Sequence, residues 1–188
     1  MNALRLLLIA SFALSAPAYG FESSKVTAAT GTIEYAFTPG DDVAGLIVRT
    51  IDAAGSQVLM QAFSFTHRDI ADALIRAHRR GIDVQVIADR EQSDAMESTA
   101  MQSLLDAGLP VFMDAGHSAA HNKVIVVDHG ARQAALVTGS FNFTFAAQNR
   151  NAENVLVLRG NPELTQAFYA NWLQHREHAV AAARKRSR

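Results

Sequence analysis

His121 and Lys123, in the stretch "AAHNKVIVVDHG" at 119–130, are the residues whose types and spacing lend themselves most directly to chemistry. They stand at the mouth of an apolar β-branched run, Val124 to Val127, and residues i and i+2 of a strand share a face. Imidazole and ammonium therefore point the same way, while Asp128, at odd offset, points the other. The chain has only three lysines, Lys25, Lys123 and Lys185, so one set against a core strand is not drawn from an abundant surface pool. A second polar pair of like parity, Ser140 and Asn142, follows in "TGSFNF". Beside it Gly139, lacking a side chain, lets backbone amides approach a ligand closely. Such a donor-rich pocket suits a phosphate diester.

Other chemistries fit less well. A metal site at His121 would place Lys123 where it repels a divalent cation, and no H-E-x-x-H pair occurs. There is no G-x-S-x-G elbow for Ser140, and no G-x-x-x-x-G-K-[ST] phosphate loop. Cysteine is absent, which removes thiol nucleophiles, thiolate metal sites and disulfides. A core histidine and an edge lysine would explain either residue singly but not their joint spacing.

The elements that must position these groups alternate along the chain. "GTIEYAFT" reads as a strand, and "DDVAGLIVRTIDAA" as a helix capped by Asp41 or Asp42. "SQVLMQAFSF" is a buried strand, and "RDIADALIRAHRR" an amphipathic helix stopped by Gly81. Next come the strand "IDVQVIAD", the helix "DAMESTAMQSLLDAG" ending at Gly108, and the short strand "LPVFMD". "HNKVIVVD" and "AALVTGS" are strands joined by a hairpin around His129 and Gly130. A short irregular or helical piece through "FTFAAQ", the strand "NVLVL" and a closing helix from about Pro162 to Ala183 complete the chain. The pattern is α/β, with a mixed central sheet flanked by helices on both faces.

At 188 residues, 49% hydrophobic and 19% charged, the chain suits one domain. Residues 1–20 carry Arg5, an apolar run from Leu6 to Leu14 and a small-residue end, the layout of a secretory signal peptide. The run falls short of the roughly 20 residues a membrane span needs. The remaining 21–188 would form a single periplasmic or secreted domain with no stable membrane anchor. Removing Arg5, the only charge in 1–20, takes the formal charge from −1 to −2. A globally basic body is excluded, so a polyanion would be held locally. Arg76, Arg79, Arg80 and the tail "RKRSR" are clusters of the kind that usually form solvated faces.

"HNKVIVVD" matches H-x-K-x-x-x-x-D and, with "GSFNF" downstream, resembles the HKD signature of the phospholipase D superfamily. "QAFSFTHRDIADALIRAHRRGIDVQVIAD" and "NAENVLVL" are similar to segments of its small exported bacterial endonucleases, the Nuc-type branch. The likeness covers about residues 30 to 180, and the hairpin at 129–138 is longer than the family's usual one. The resemblance implies a phosphodiesterase needing no metal and no cofactor. His121 would attack phosphorus to form a phosphohistidine, and a second histidine would protonate the leaving oxygen. Lys123 and Asn142, helped by Ser140 and the backbone at Gly139, would hold the non-bridging oxygens. Glu153 in "NAEN" matches the branch's acidic position that orients the imidazole. Asp128 belongs to the signature, and hence to the candidate catalytic set, although its parity favours a structural role.

DNA or RNA is the expected substrate and partner, with phospholipid headgroups as the alternative and a non-catalytic nucleic-acid-binding module as the reading from another class. No other histidine has a lysine two residues on, so the chain holds one half-motif. It is expected to form a homodimer sharing the site across a two-fold, with His67 or His117 as the competing source of the acid. His78, His175 and His178 read as helix-surface residues, His129 as a turn residue, and Phe168 and Trp172 as core.

Overall fold

The computed structural model describes residues 23–96 and 99–183. The expected signal peptide and the "RKRSR" tail at 184–188 lie outside the described residues. Eight strands and six helices follow in the order β1 (Thr32–Thr38), α1 (Val43–Asp52), β2 (Gln57–Ala62), α2 (Arg68–Arg79), β3 (Asp83–Asp89), α3 (Arg90–Met96), α4 (Thr99–Asp106), β4 (Val111–Asp114), β5 (Lys123–Val127), β6 (Ala135–Gly139), α5 (Phe145–Asn149), β7 (Glu153–Arg159), α6 (Pro162–His178) and β8 (Val180–Ala181).

One sheet contains all eight strands, in the order β1-β7-β6-β5-β2-β3-β4-β8. β2, β3 and β4 are parallel, joined by helical crossovers, and the remaining pairings are antiparallel. Alternation along the central strands feeds two cores. Val58, Met60, Val84, Val86, Ile125 and Val127 face Leu46, Ile47, Ile70, Leu74 and Leu104 of α1, α2 and α4. Leu59, Ile87, Val124, Val126 and Leu136 face Trp172 of α6. Burying both faces explains why β5 reads as an unbroken apolar run. The Trp172 indole N–H donates to the Met60 carbonyl at 3.1 Å, fixing α6 across the sheet.

Local signals behave as their chemistry dictates. Asp42 caps α1 by accepting the Gly45 N–H at 2.8 Å. Asn161 does the same for α6 through Leu164, with Pro162 in the first turn. Gly81, with φ of 86°, ends α2.

Three boundaries differ from the sequence expectation. The helix expected over 94–108 begins at Arg90, because the Asp89 carboxylate accepts the Gln92 N–H at 2.8 Å, and its described residues are α3 and α4. The closing helix stops at His178, and Val180–Ala181 pair with the free edge of β4. An alanine-rich run with helical propensity is overridden there by tertiary strand pairing. β5 begins at Lys123, so His121 precedes the strand.

Candidate active site

β5 lies beside β2 with Lys123 opposite Ala62, and the Phe63 N–H donates to the Asn122 carbonyl at 2.9 Å. This pairing carries two aromatic rings together: Phe63 and His121 have centroids 4.3 Å apart. Lys123 is buried, and its ammonium sits 4.9 Å over the Phe63 ring. Nζ donates to the His121 carbonyl at 3.0 Å and lies 3.2 Å from His121 Nδ1. Imidazole and ammonium are thus co-directed even though His121 is outside the regular strand. An ammonium can only donate, so Nδ1 accepts and the ring proton is assigned to the exposed Nε2. Burial lowers the Lys123 pKa below its ordinary 10.5, and the negative charge of Glu153 opposes that shift.

Glu153 opens β7 close enough to act on that charge. Its carboxylate accepts the Ser140 hydroxyl at 2.6 Å and the Asn151 amide at 2.9 Å. No hydrogen bond joins it to His121 among the described residues, so within one chain it does not orient that imidazole. Ser140 is equally committed: while donating to Glu153, its Oγ accepts the Asn154 N–H at 3.0 Å. Its position braces the carboxylate. The glycine at 139 has a different reason from the expected one, since a Cβ there would collide with the Asn154 carbonyl oxygen. Close packing of β6 on β7 excludes a side chain. Asn142 is half-buried, and its Oδ1 has no partner within the protein.

The structure separates Asp128 from this group. It lies beyond the opposite end of β5, five strand residues or roughly 17 Å from the Lys123 end. With φ of 50°, it accepts the N–H groups of Gly55, Ser56 and Gln57 at 2.8, 2.7 and 2.8 Å, and the Ser56 hydroxyl at 2.8 Å. Burial would raise its pKa, but those donors outweigh it and hold the carboxyl below its ordinary 3.8.

Neither alternative histidine shares a hydrogen bond with His121 or Lys123 among the described residues. His67 is buried at the start of α2 with Nδ1 unpartnered, and burial lowers its pKa against the opposing charges of Asp69 and Asp42. His117 faces Asp114 at 3.2 Å. His175 and His178 lie on α6 as expected, His178 exposed and His175 partly buried, and both meet the same carboxylate, at 3.0 and 3.2 Å, a contact the sequence reading did not foresee. His129 stacks on Tyr169 with centroids 3.5 Å apart. Arg76 and Arg80 bind Asp52 of α1, so they are structural rather than a free polyanion patch. Sequence reasoning missed Phe63, whose only signal was its place at the end of an apolar strand.

A family model described as "Cardiolipin synthase, PLD-like domain" matches residues 47–175. The chain is 36% identical over 140 residues to a phospholipase D of Rickettsia conorii, covering 74% of this chain and 67% of that one. It is 31% identical over 140 residues to a mitochondrial cardiolipin hydrolase of Chlamydomonas reinhardtii, covering 72% and 57%. In structure it superposes on Nuc from Salmonella typhimurium, a phospholipase D family member, with a TM-score of 0.75 and 32% identity over 80% of this chain and 97% of that one. Matched along its length by family, relative and fold, and carrying His121 against Lys123 at the mouth of β5, the chain belongs to the phospholipase D superfamily, in its Nuc-type branch, and is a phosphodiester hydrolase.

Proposed function

We propose that the protein is an exported, sequence-nonspecific endonuclease working through a phosphohistidine. The observation that carries this reading is the exposed His121 imidazole held 3.2 Å from the buried Lys123 ammonium. His121 Nε2 would form a bond to phosphorus as the P–O bond to one nucleoside breaks. A second imidazolium would give its proton to that leaving oxygen, and would then take a proton from the water that displaces the phosphoryl group from His121. Lys123 and Asn142 would hold the non-bridging oxygens as charge builds on them. The similarity to Nuc over nearly its whole length supports a nucleic-acid substrate, and the layout of residues 1–20 supports export.

The chemistry needs two histidines in opposite protonation states, and the chain contains one H-x-K motif. A homodimer sharing the site across a two-fold would supply both. In the single chain the Lys123 contact places the proton of a neutral His121 on Nε2, whereas the acid needs both ring nitrogens protonated. The nucleophilic copy needs the other tautomer, and therefore an acceptor at Nδ1 that a second copy would bring.

A lipid headgroup is the second reading. It is favoured by the relatives' names and by the exposed Ile33, Tyr35 and Phe37 on the outer face of β1. No helix among the described residues is long and apolar enough to cross a membrane. Incubating the protein in excess chelator with plasmid DNA and, separately, with phosphatidylcholine vesicles tests both. Cleavage of DNA is expected. Headgroup release with intact DNA would select the lipid reading, and activity lost in chelator but restored by a divalent ion would overturn the mechanism.

A further inference from the structure

Three imidazoles converge on one buried carboxylate at the far side of the same sheet end. Asp114 is the last residue of β4, and its side chain is wholly buried. His117 reaches it from the following loop, and His175 and His178 from the last turn of α6, where spacing i, i+3 puts both on one helix face. The nitrogens involved are Nδ1 of His117, Nδ1 of His175 and Nε2 of His178, at 3.2, 3.0 and 3.2 Å from Asp114 Oδ2.

Hydrogen bonding alone would use this carboxylate to capacity. A carboxylate offers about four lone-pair sites over its two oxygens. Here the Gly116 N–H, 2.9 Å from Oδ1, and three rings compete for them, with His117 Nδ1 3.2 Å from both oxygens. Each ring would have to turn an N–H inward. Arg176, between the two histidines in sequence, is engaged elsewhere, its guanidinium 3.3 Å over the Phe112 ring. Among the described residues no lysine or arginine pairs with Asp114. A buried carboxylate without such a partner is a natural metal ligand.

We propose that Asp114, His117, His175 and His178 form a binding site for a divalent transition metal, of which zinc is the best match. One carboxylate oxygen and three imidazole nitrogens are a donor set that zinc accepts in tetrahedral geometry. Zinc bonds of about 2.0–2.1 Å place neighbouring ligand atoms roughly 3.3–3.4 Å apart at tetrahedral angles. The N···O separations of 3.0–3.2 Å stand close to that, and all four ligand atoms lie within 4.8 Å of one another. The half-exposed rings of His117 and His178 can rotate to close the wider gaps.

Local construction favours the arrangement. A Cβ at Gly116 would come within 2.9 Å of the His178 ring and push it from its place. The pairing of Met113 with Val180 and Phe112 with Ala181 holds the end of α6 beside Asp114. The metal would clip two segments that the sequence keeps apart: the end of β4 with the loop leading on to His121, and the end of α6. It is separate from the His121 site, so it does not conflict with hydrolysis that uses no metal.

The test uses tag-free full-length protein, stripped with chelator and titrated with zinc alone. About one equivalent per chain should survive desalting, and the thermal midpoint should rise. Cobalt substitution should give the visible bands of a tetrahedral site. The double variant His175→Gln/His178→Gln should lose all three responses, while its circular dichroism and its phosphodiesterase activity in chelator match wild type. His117→Ala, a change at a half-exposed side chain, should weaken binding at least ~10-fold even if the double variant fails to fold. No retained zinc in the wild type, or binding in His117→Ala equal to wild type, would overturn the proposal.

Discussion

The two ends of β5 hold the named members of one sequence signature and use them differently. At the N-terminal end, exposed His121 and buried Lys123 touch each other and Phe63, and the Asn142 Oδ1 lacks a protein partner. At the C-terminal end, Asp128 is satisfied by four donors from the turn that precedes β2. An imidazole that faces solvent while a buried ammonium stands 3.2 Å away can serve a substrate. A carboxylate whose acceptor sites are filled from within can only serve the fold. A shared motif therefore does not imply a shared role, and hydrogen-bond accounting tells the two apart.

The largest expected effect lies at the first end. His121→Ala should reduce phosphodiester cleavage by roughly 10⁴-fold or more, as removal of a nucleophile does. Denaturant unfolding should change by no more than about 0.5 kcal/mol, because the side chain is exposed. Near-normal cleavage would end the assignment. At the other end the pattern should invert. Asp128→Ala removes four hydrogen bonds whose mostly exposed donors water can take up, and should cost roughly 1–2 kcal/mol of stability, with turnover per folded molecule little changed. The Asp128 pKa is depressed in the folded state, so its contribution is fully present above the ordinary 3.8 and is lost as pH falls through the depressed value. Acid unfolding of the variant should therefore begin from a lower plateau and show less of that loss.

A mixing experiment has a smaller signal and tests whether the His121 end is complete in one chain. After full subunit exchange of equal wild type and His121→Ala, about a quarter of the activity should remain for a site shared across a two-fold, against about half for independent sites. A value near half would return the acid to His67 or His117. The smallest effect concerns Glu153. Its charge holds the Lys123 pKa up against burial. Glu153→Gln should thus move the alkaline limb of the pH–rate profile to lower pH, since the ammonium is lost earlier as pH rises. An unmoved limb would show that Lys123 does not set it.

Much of the fold was legible because its signals are local. The Asp42 cap, the Gly81 stop and the apolar runs of β2, β3 and β5 appear where sequence reasoning placed them. β8 was not legible, since Val180 and Ala181 carry no pattern and acquire strand geometry only from the edge of β4. At the site, the spacing of His121 and Lys123 foretold their meeting, although His121 precedes β5 and the contact is made through Nδ1 and its own carbonyl. The bracing of Glu153 by Ser140, and the packing of Gly139 on Asn154, depend on β6 lying against β7. The convergence of His175 and His178 on Asp114 depends on where α6 ends. Its available traces were "DAGH" and "HREH", each a pair of potential ligands three residues apart.

The sheet order also has a kinetic consequence. β5, β6 and β7 form a meander of consecutive antiparallel neighbours whose contacts close short loops. β2 and β5 are also neighbours, but their pairing spans about 65 residues of chain, and closing such a loop carries a larger entropic penalty. That distant pairing brings Phe63 against His121 and Lys123. A chain in which only the meander has formed would contain the H-x-K residues without the aromatic surface they rest on, so catalytic competence should emerge with a long-range step of folding rather than with the first appearance of sheet.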